Sequence, residues 1–529
     1  MLTTEYQHLD TPCFEENVDR SYAILVDALA KKEQAEFEQG LAQITSRIKS
    51  DTIEQASTLI ADTADTFVDA MVESAVRAQK EIQDWPETRI DKLLQALAER
   101  VNEHAEELAR AAVRETQLGN VADKTAKNRF ASLDVYRSLV GQIGQGRLSL
   151  DKRRKVTTLA SPVGVVFGLV PATNPTSTFI FKVLICLKGR NAIILSPSQR
   201  ASGVSNGLGE LIQQVLREHG APPQLVQWVQ SKNSRTTAIA FMEHPKISFI
   251  LATGGPAMVK AAYRSGTPAI GVGAGNAPVL ICADANLKHT AASVVMSKSF
   301  DNGIVCCSEH NLVAVQSCVQ AFKEALEKQG AAVLSEEERV AFLNVVVDPA
   351  RNRLKPQVNG QLASELARQA GICRVYPIKL IVVPSEKVSE KNPMAVEKLA
   401  PILSLFTVAD EQVGMRVCQE LLAIDGLGHT AIIHTYNSTL IEAFTVRMPV
   451  SRILVNAPGT QGGIGMTSGL IPSLTLGCGT FGGTSTTDNV TYSHLLNIKR
   501  VAYYTPPGTL TLVGRMRSFL KRKLLPFHG

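Results

Sequence analysis

At 529 residues the chain is longer than one ordinary hydrophobic core serves, and two or three domains are expected. Its 45% hydrophobic and 20% charged residues suit a soluble globular enzyme, and no apolar run reaches the roughly 18 residues of a membrane span. The formal net charge of +6 lies in the tail, where Lys499, Arg500, Arg515, Arg517, Lys521, Arg522 and Lys523 follow Asp488 with no further acid; the near-neutral body argues against a nucleic-acid-binding face.

The start of the chain carries Glu5, Asp10 and Glu15 in place of a basic-then-apolar leader, so no secretory signal is read. Residues 17–48, 52–82 and 88–116 are rich in Ala, Glu, Gln, Lys and Leu and read as helices. Leu93, Leu94, Leu97, Val101, Leu108 and Ala112 recur at three and four, the stripe of a surface helix packed on a core. From Val163 short β-branched runs alternate with helical stretches such as Thr178–Lys188 and Ser202–His219. The runs are Val163–Val170, Ala192–Leu195, Leu225–Val229, Ile247–Ala252, Ala269–Val272 and Val279–Ile281. A second series follows at Leu312–Val315, Leu380–Val383, Leu403–Thr407, Thr430–His434 and Arg452–Val455. Such alternation implies parallel sheets with helices on both faces. Two α/β domains in tandem, divided near residue 300, are therefore expected. Pro458–Gly483 reads as a glycine-rich loop and Val501–Tyr504 as a strand. After Pro506-Pro507-Gly508, Leu512, Val513, Met516, Phe519, Leu520 and Leu524 alternate with basic residues as in a short amphipathic helix.

Three segments could carry chemistry. Nine cysteines without CxxC spacing give neither a disulfide framework nor a metal site and point to a reducing cytoplasm. Of them, Cys306 follows the loop Phe300–Gly303 where the two series meet; it is a candidate nucleophile, though free cysteines are commonly buried packing. The stretch Val170–Thr178 ends a strand and opens a helix, where open α/β sheets bind ligands. There Asn174 is either an oxyanion donor or a helix cap. The glycine turns Thr253-Gly254-Gly255-Pro256 and Gly271–Asn276 let a backbone approach phosphates, but neither spells GxGxxG, so alone they are a weak nucleotide signal.

Together the stretches 170–178, 251–279, 297–310 and 426–430, with the glycine-rich motifs of 452–483, resemble the CoA-acylating branch of the aldehyde dehydrogenase superfamily. That branch includes microcompartment propionaldehyde and acetaldehyde dehydrogenases and the N-terminal half of bifunctional aldehyde–alcohol dehydrogenases. The resemblance covers roughly residues 60–505. It implies the aldehyde dehydrogenase fold: two doubly wound α/β domains, one cofactor-binding and one catalytic, with a small oligomerisation element. On the chain this gives a helical extension at 1–55, a cofactor-binding domain at 56–298 with a protruding hairpin at about 135–160, and a catalytic domain at 299–485. An oligomerisation strand and linker at 486–508 and the basic tail at 509–529 follow.

The resemblance also implies roles. Cys306 matches the nucleophile, and Asn174 the oxyanion-hole amide that acts with the Cys306 backbone N–H. Glu397 matches the carboxylate that holds the nicotinamide ribose, and Thr253, Gly254 and Gly255 the turn beneath the cofactor. Ser196, Pro197 and Gln199 stand where hydrolytic relatives place a Lys and a Glu beside the adenosine ribose, so NAD rather than NADP follows from the branch alone. His429 is similar to a His near the active site. Hydrolytic relatives carry a Glu general base where this chain has Val272. Without that base water is a poor acyl acceptor, whereas a thiol is partly ionised near neutrality. The expected reaction is oxidation of a short-chain aldehyde, propionaldehyde or acetaldehyde, by NAD and CoA to acyl-CoA and NADH through a Cys306 thioester. An acid-forming aldehyde dehydrogenase is the alternative. The branch further implies a homodimer or homotetramer and a place in the bacterial cytoplasm or inside a microcompartment. The tail 509–529 is then a shell-docking peptide, a cap on the body or a membrane-surface helix. Residues 17–30, with Val18, Tyr22, Leu25, Val26 and Leu29 on one face, are the competing docking candidate.

Overall fold

The computed structural model describes residues 50–230 and 234–505, with side chains from Thr66 onward. The expected helix at 17–48, the docking candidate at 17–30 and the tail at 509–529 lie outside the described residues. The chain divides into two compact units, Met1–Phe67 and Val68–Gly529, and every described strand belongs to the second.

Strands β1 (Gly146–Asp151) and β2 (Val156–Pro162) form an antiparallel hairpin, the element expected at about 135–160. Strands β3 (Val165–Val170), β4 (Ala192–Pro197), β5 (Val226–Trp228), β6 (Ile247–Ala252) and β7 (Ala269–Gly271) follow. They make a five-stranded parallel sheet in the order β5-β4-β3-β6-β7. Every residue of β3 and β4 is buried, as a parallel sheet covered on both faces requires. The helix Pro175–Lys188, also buried throughout, covers one face. Strand order runs outward from β3 in one direction and resumes at β6 in the other. The carboxyl ends of β3 and β6 therefore border the crevice where doubly wound sheets take ligands.

Strands β8 (Ala277–Ile281), β9 (Glu309–Val315) and β10 (Ala331–Val333) come next, then a small hairpin of β11 (Val347–Asp348) and β12 (Arg353–Leu354). With β13 (Leu380–Pro384), β14 (Ile402–Val408), β15 (Gly428–His434) and β16 (Val450–Val455), strands β8, β9 and β10 complete a second sheet, seven-stranded and parallel, in the order β10-β13-β14-β9-β8-β15-β16. Its core includes Val279, Leu312, Leu405 and Ile432. Strand β17 (Leu496–Ala502) returns to pair with β2 along its whole length, closing a three-stranded antiparallel sheet.

The α/β class and both strand series are as expected. Strand β8 is a correction: read with the first series, it pairs with β9 and β15 in the second sheet. The change of sheet falls between Gly271 and Ala277, not near residue 300. The run Ala277–Ile281 is wholly buried, and a buried apolar run looks the same in either sheet; only pairing tells them apart. The expected helix 88–116 breaks at His104 into Glu87–Glu103 and Ala105–Thr116, with its predicted stripe buried throughout. The last strand, Leu496–Ala502, starts earlier than the expected run Val501–Tyr504 and shares only Val501 and Ala502 with it, because pairing with β2 sets its extent. Among the described residues no helix is long and apolar enough to cross a membrane.

Candidate active site

Strand β3 delivers the segment Pro171–Asn174 to the crevice. Asn174 occupies the N-cap position of Pro175–Lys188, but its side chain makes no cap hydrogen bond. The amide is engaged elsewhere: Lys127 Nζ donates to Oδ1, while Nδ2 lies 3.3 Å from Thr173 Oγ1 and 3.5 Å from the Ile304 carbonyl. Strand β6 delivers Thr253-Gly254-Gly255, which leads into the helix Pro256–Arg264.

Cys306 sits beyond the tight turn Phe300–Gly303, in which Asp301 and Asn302 adopt left-handed backbone with φ of 48° and 54°. The turn is packed so closely that a Cβ on Gly275 would stand 1.9 Å from the Cys306 carbonyl oxygen. Glycine is the residue that permits this approach. The Gly275 N–H in turn donates to Glu397 Oε1 at 3.0 Å. One segment thus touches both the cysteine's loop and the carboxylate.

These elements enclose a cavity of about 340 Å³ lined by Cys306, Asn174, Thr253, Gly254, Gly255 and Glu397, with Val272 and Lys127 also in its wall. A second cavity, of about 450 Å³, is lined by Ser196, Pro197 and Gln199 and shares Thr253, Gly254 and Gly255 with the first. Nothing lies within 4 Å of where a Cβ on Gly254 or Gly255 would stand, so the turn shared by the two cavities presents bare backbone.

The two adjacent cysteines face opposite environments. Cys306 is half-buried and lines the cavity. Cys307 is fully buried in a small apolar cluster with Phe130, Val305, Ile464 and Leu476, its Sγ 3.6 Å from the Thr460 carbonyl. Burial pushes the Cys306 thiol up to about 12, helped by the acidic neighbours Glu397 and Cys478 and opposed by Arg452. Burial also raises Glu397, to about 7, against the Gly275 N–H and the Lys298 cation. The cavity therefore holds a thiol that resists ionisation beside a carboxyl able to exchange protons near neutrality.

A sequence model of the Aldehyde dehydrogenase family matches residues 42–470. The chain belongs to the aldehyde dehydrogenase family. It is 41% identical over 440 residues to the bifunctional aldehyde-alcohol dehydrogenase of Escherichia coli K12, a match covering 82% of this chain and 49% of that protein. The chain thus spans about half the length of that relative. Among solved structures, an acetylating aldehyde dehydrogenase from Geobacillus thermoglucosidasius superposes with a TM-score of 0.81 at 40% identity, covering 84% of this chain and 98% of that one. A propionaldehyde dehydrogenase from Rhodopseudomonas palustris, solved with bound CoA and an acylated cysteine, matches with a TM-score of 0.75 at 27% identity, over 82% of this chain and 97% of that one.

Of the residues singled out from sequence as members of this family's site, six meet in one cavity and three in the adjoining one. His429 does not join them. It is fully buried on β15, with Nδ1 3.0 Å from Thr430 Oγ1, and burial with Arg452 nearby pushes it down to about 3. Sequence reading also missed Lys127, Asp301 and Arg452. Lys124 and Lys127, three apart on the helix Val121–Arg129, look from sequence like ordinary surface lysines. Both side chains are in fact 2% exposed and paired with Asp301. Nothing in the spacing of the two lysines marks them as buried.

Proposed function

We propose that this chain is a CoA-acylating aldehyde dehydrogenase that converts a short-chain aldehyde, with NAD and CoA, to an acyl-CoA and NADH. The observation that carries the reading is the wall of the Cys306 cavity. Its lining has Val272 where hydrolytic relatives place their base, and Glu397 is its one carboxyl among the described residues. The likeness to an acetylating enzyme and to a structure with CoA and an acylated cysteine supports the same reading.

Cys306 adds as thiolate to the aldehyde carbon. Asn174 Nδ2 and the Cys306 backbone N–H stabilise the resulting oxyanion. NAD, when bound, accepts the hydride that leaves as the oxyanion collapses to a thioester. The two cavities joined by the bare turn at Gly254 and Gly255 fit a two-part ligand of this kind. Thr253–Gly255 would lie beneath its middle, Glu397 at the nicotinamide ribose, and Ser196, Pro197 and Gln199 at the adenosine end. The CoA thiolate then attacks the thioester carbonyl, and Cys306 leaves as thiolate.

An oligomer is part of the proposal. The sheet β1-β2-β17 exposes Leu150, Ile498 and Val501 beside the unpaired edges of β1 and β17 among the described residues, a surface suited to a second copy. A cytoplasmic or microcompartment setting, reached through a terminal segment, belongs to the same reading. A product assay over C2 to C6 aldehydes, with and without CoA, tests the chemistry. Acyl-CoA that forms only with CoA is expected, and free acid at comparable rates without it would favour the hydrolytic alternative.

A further inference from the structure

We propose that Lys127, anchored by Asp301, is the positioning residue that fixes which face of the Asn174 amide meets the substrate. The inference rests on the reading of Asn174 as oxyanion donor. An ammonium group has donors and no acceptor, so the amide atom facing Lys127 Nζ must be Oδ1. Nδ2 is thereby turned toward the Ile304 carbonyl and the Cys306 loop. Without the Lys127 hydrogen bond, only the longer Nδ2 contacts to Thr173 Oγ1 and the Ile304 carbonyl hold the amide, and a half-turn would present an acceptor to the developing oxyanion, which repels it. Capping does not hold the side chain, because Asn174 makes no cap bond.

The anchor is built from both sides of the crevice. Asp301 is fully buried, takes an ion pair from Lys127 and one from Lys124 at 2.9 Å, and accepts the Asn120 N–H at 2.8 Å. Lys124 Nζ also donates to the Thr173 carbonyl at 2.9 Å, one residue before Asn174. Asp301 belongs to the turn that leads directly to Cys306. Through Lys127, the loop that carries the nucleophile therefore also orients the oxyanion donor. Replacing a buried ion pair by apolar groups often leaves stability unchanged or higher, so stability alone gives little reason to keep three charged side chains here.

A double-mutant cycle in the full chain tests this by rapid-mix NADH formation from propionaldehyde, NAD and CoA. N174A should slow the step by roughly 10²–10³, the loss of one oxyanion donor. K127M should slow it by about 10² through misplacement, with the KM for NAD unchanged. In K127M/N174A the rate should stay within about twofold of N174A alone, because Lys127 acts through the amide. Alkylation of Cys306 by iodoacetamide, which builds no oxyanion, should keep its wild-type rate in K127M. Multiplying losses in the double variant, or alkylation slowed in proportion to turnover, would overturn the inference while leaving Asn174 its role. N174A as fast as the wild type would overturn the reading of Asn174 and this inference with it. D301N, of nearly unchanged shape, gives the same cycle if K127M loses its cooperative thermal unfolding.

Discussion

Cys306 and Cys307 are chemically identical and covalently adjacent, so their surroundings alone assign them different work. Cys307 is sealed among Phe130, Ile464 and Leu476, while Cys306 opens on the cavity. Iodoacetamide should label Cys306 and spare Cys307. Cys306→Ala should abolish turnover and the label on this loop, leaving the exposed Cys373 labelled as before, and Cys307→Ala should keep turnover and the Cys306 label. The pH dependence of labelling has a definite sign. Burial, Glu397 and Cys478 hold the Cys306 thiol up to about 12. The reactive thiolate is then the minor form across the neutral range. Labelling should rise by about tenfold per pH unit well past the ordinary cysteine value of about 8.5. Ionisation of Glu397 through about 7 adds a negative charge to the cavity, which makes the rise slightly shallower there. A plateau below pH 9 would contradict this electrostatic picture, and label on Cys307 would move the nucleophile by one residue.

At the level of elements, the site depends on three segments meeting without side chains in the way. Gly275 is the tightest of these junctions, with its Cα facing the Cys306 carbonyl and its N–H on Glu397. Gly275→Ala should push the Cys306 loop away and lower the rate of NADH formation by about 10², the order expected for misplacing a reacting group by about an ångström. A wild-type rate would show that the loop has more room than its packing suggests. The same junctions mark where sequence reading succeeded and where it stopped. Runs such as Ile247–Ala252 and Ala192–Leu195 located their strands because β-branched apolar clusters bounded by turns have few other solutions. Strand β10 is only Ala331–Val333, too short to carry a pattern, and β8 carries one that suits either sheet. Asn174 and Thr253–Gly255 were legible because they follow strand ends, whereas Glu397, in the loop before β14, came from the family resemblance alone. Lys127 and Asp301 were not legible, because they are distant in sequence and a left-handed turn brings them together.

For the whole molecule, the central question is what the acyl group proposed for Cys306 is handed to. The fold gathers Cys306, Asn174, Val272 and the bare turn at Gly254 and Gly255 around one cavity, and the proposed reading takes Val272 to stand where a base would activate water. A burst experiment with NAD and propionaldehyde both in excess of enzyme addresses this directly. Without CoA, NADH should appear to about one equivalent per site and then stop, since the thioester has no activated water to release it. Addition of CoA should restart turnover and give propionyl-CoA. Continuous NADH and propionate without CoA would contradict the account.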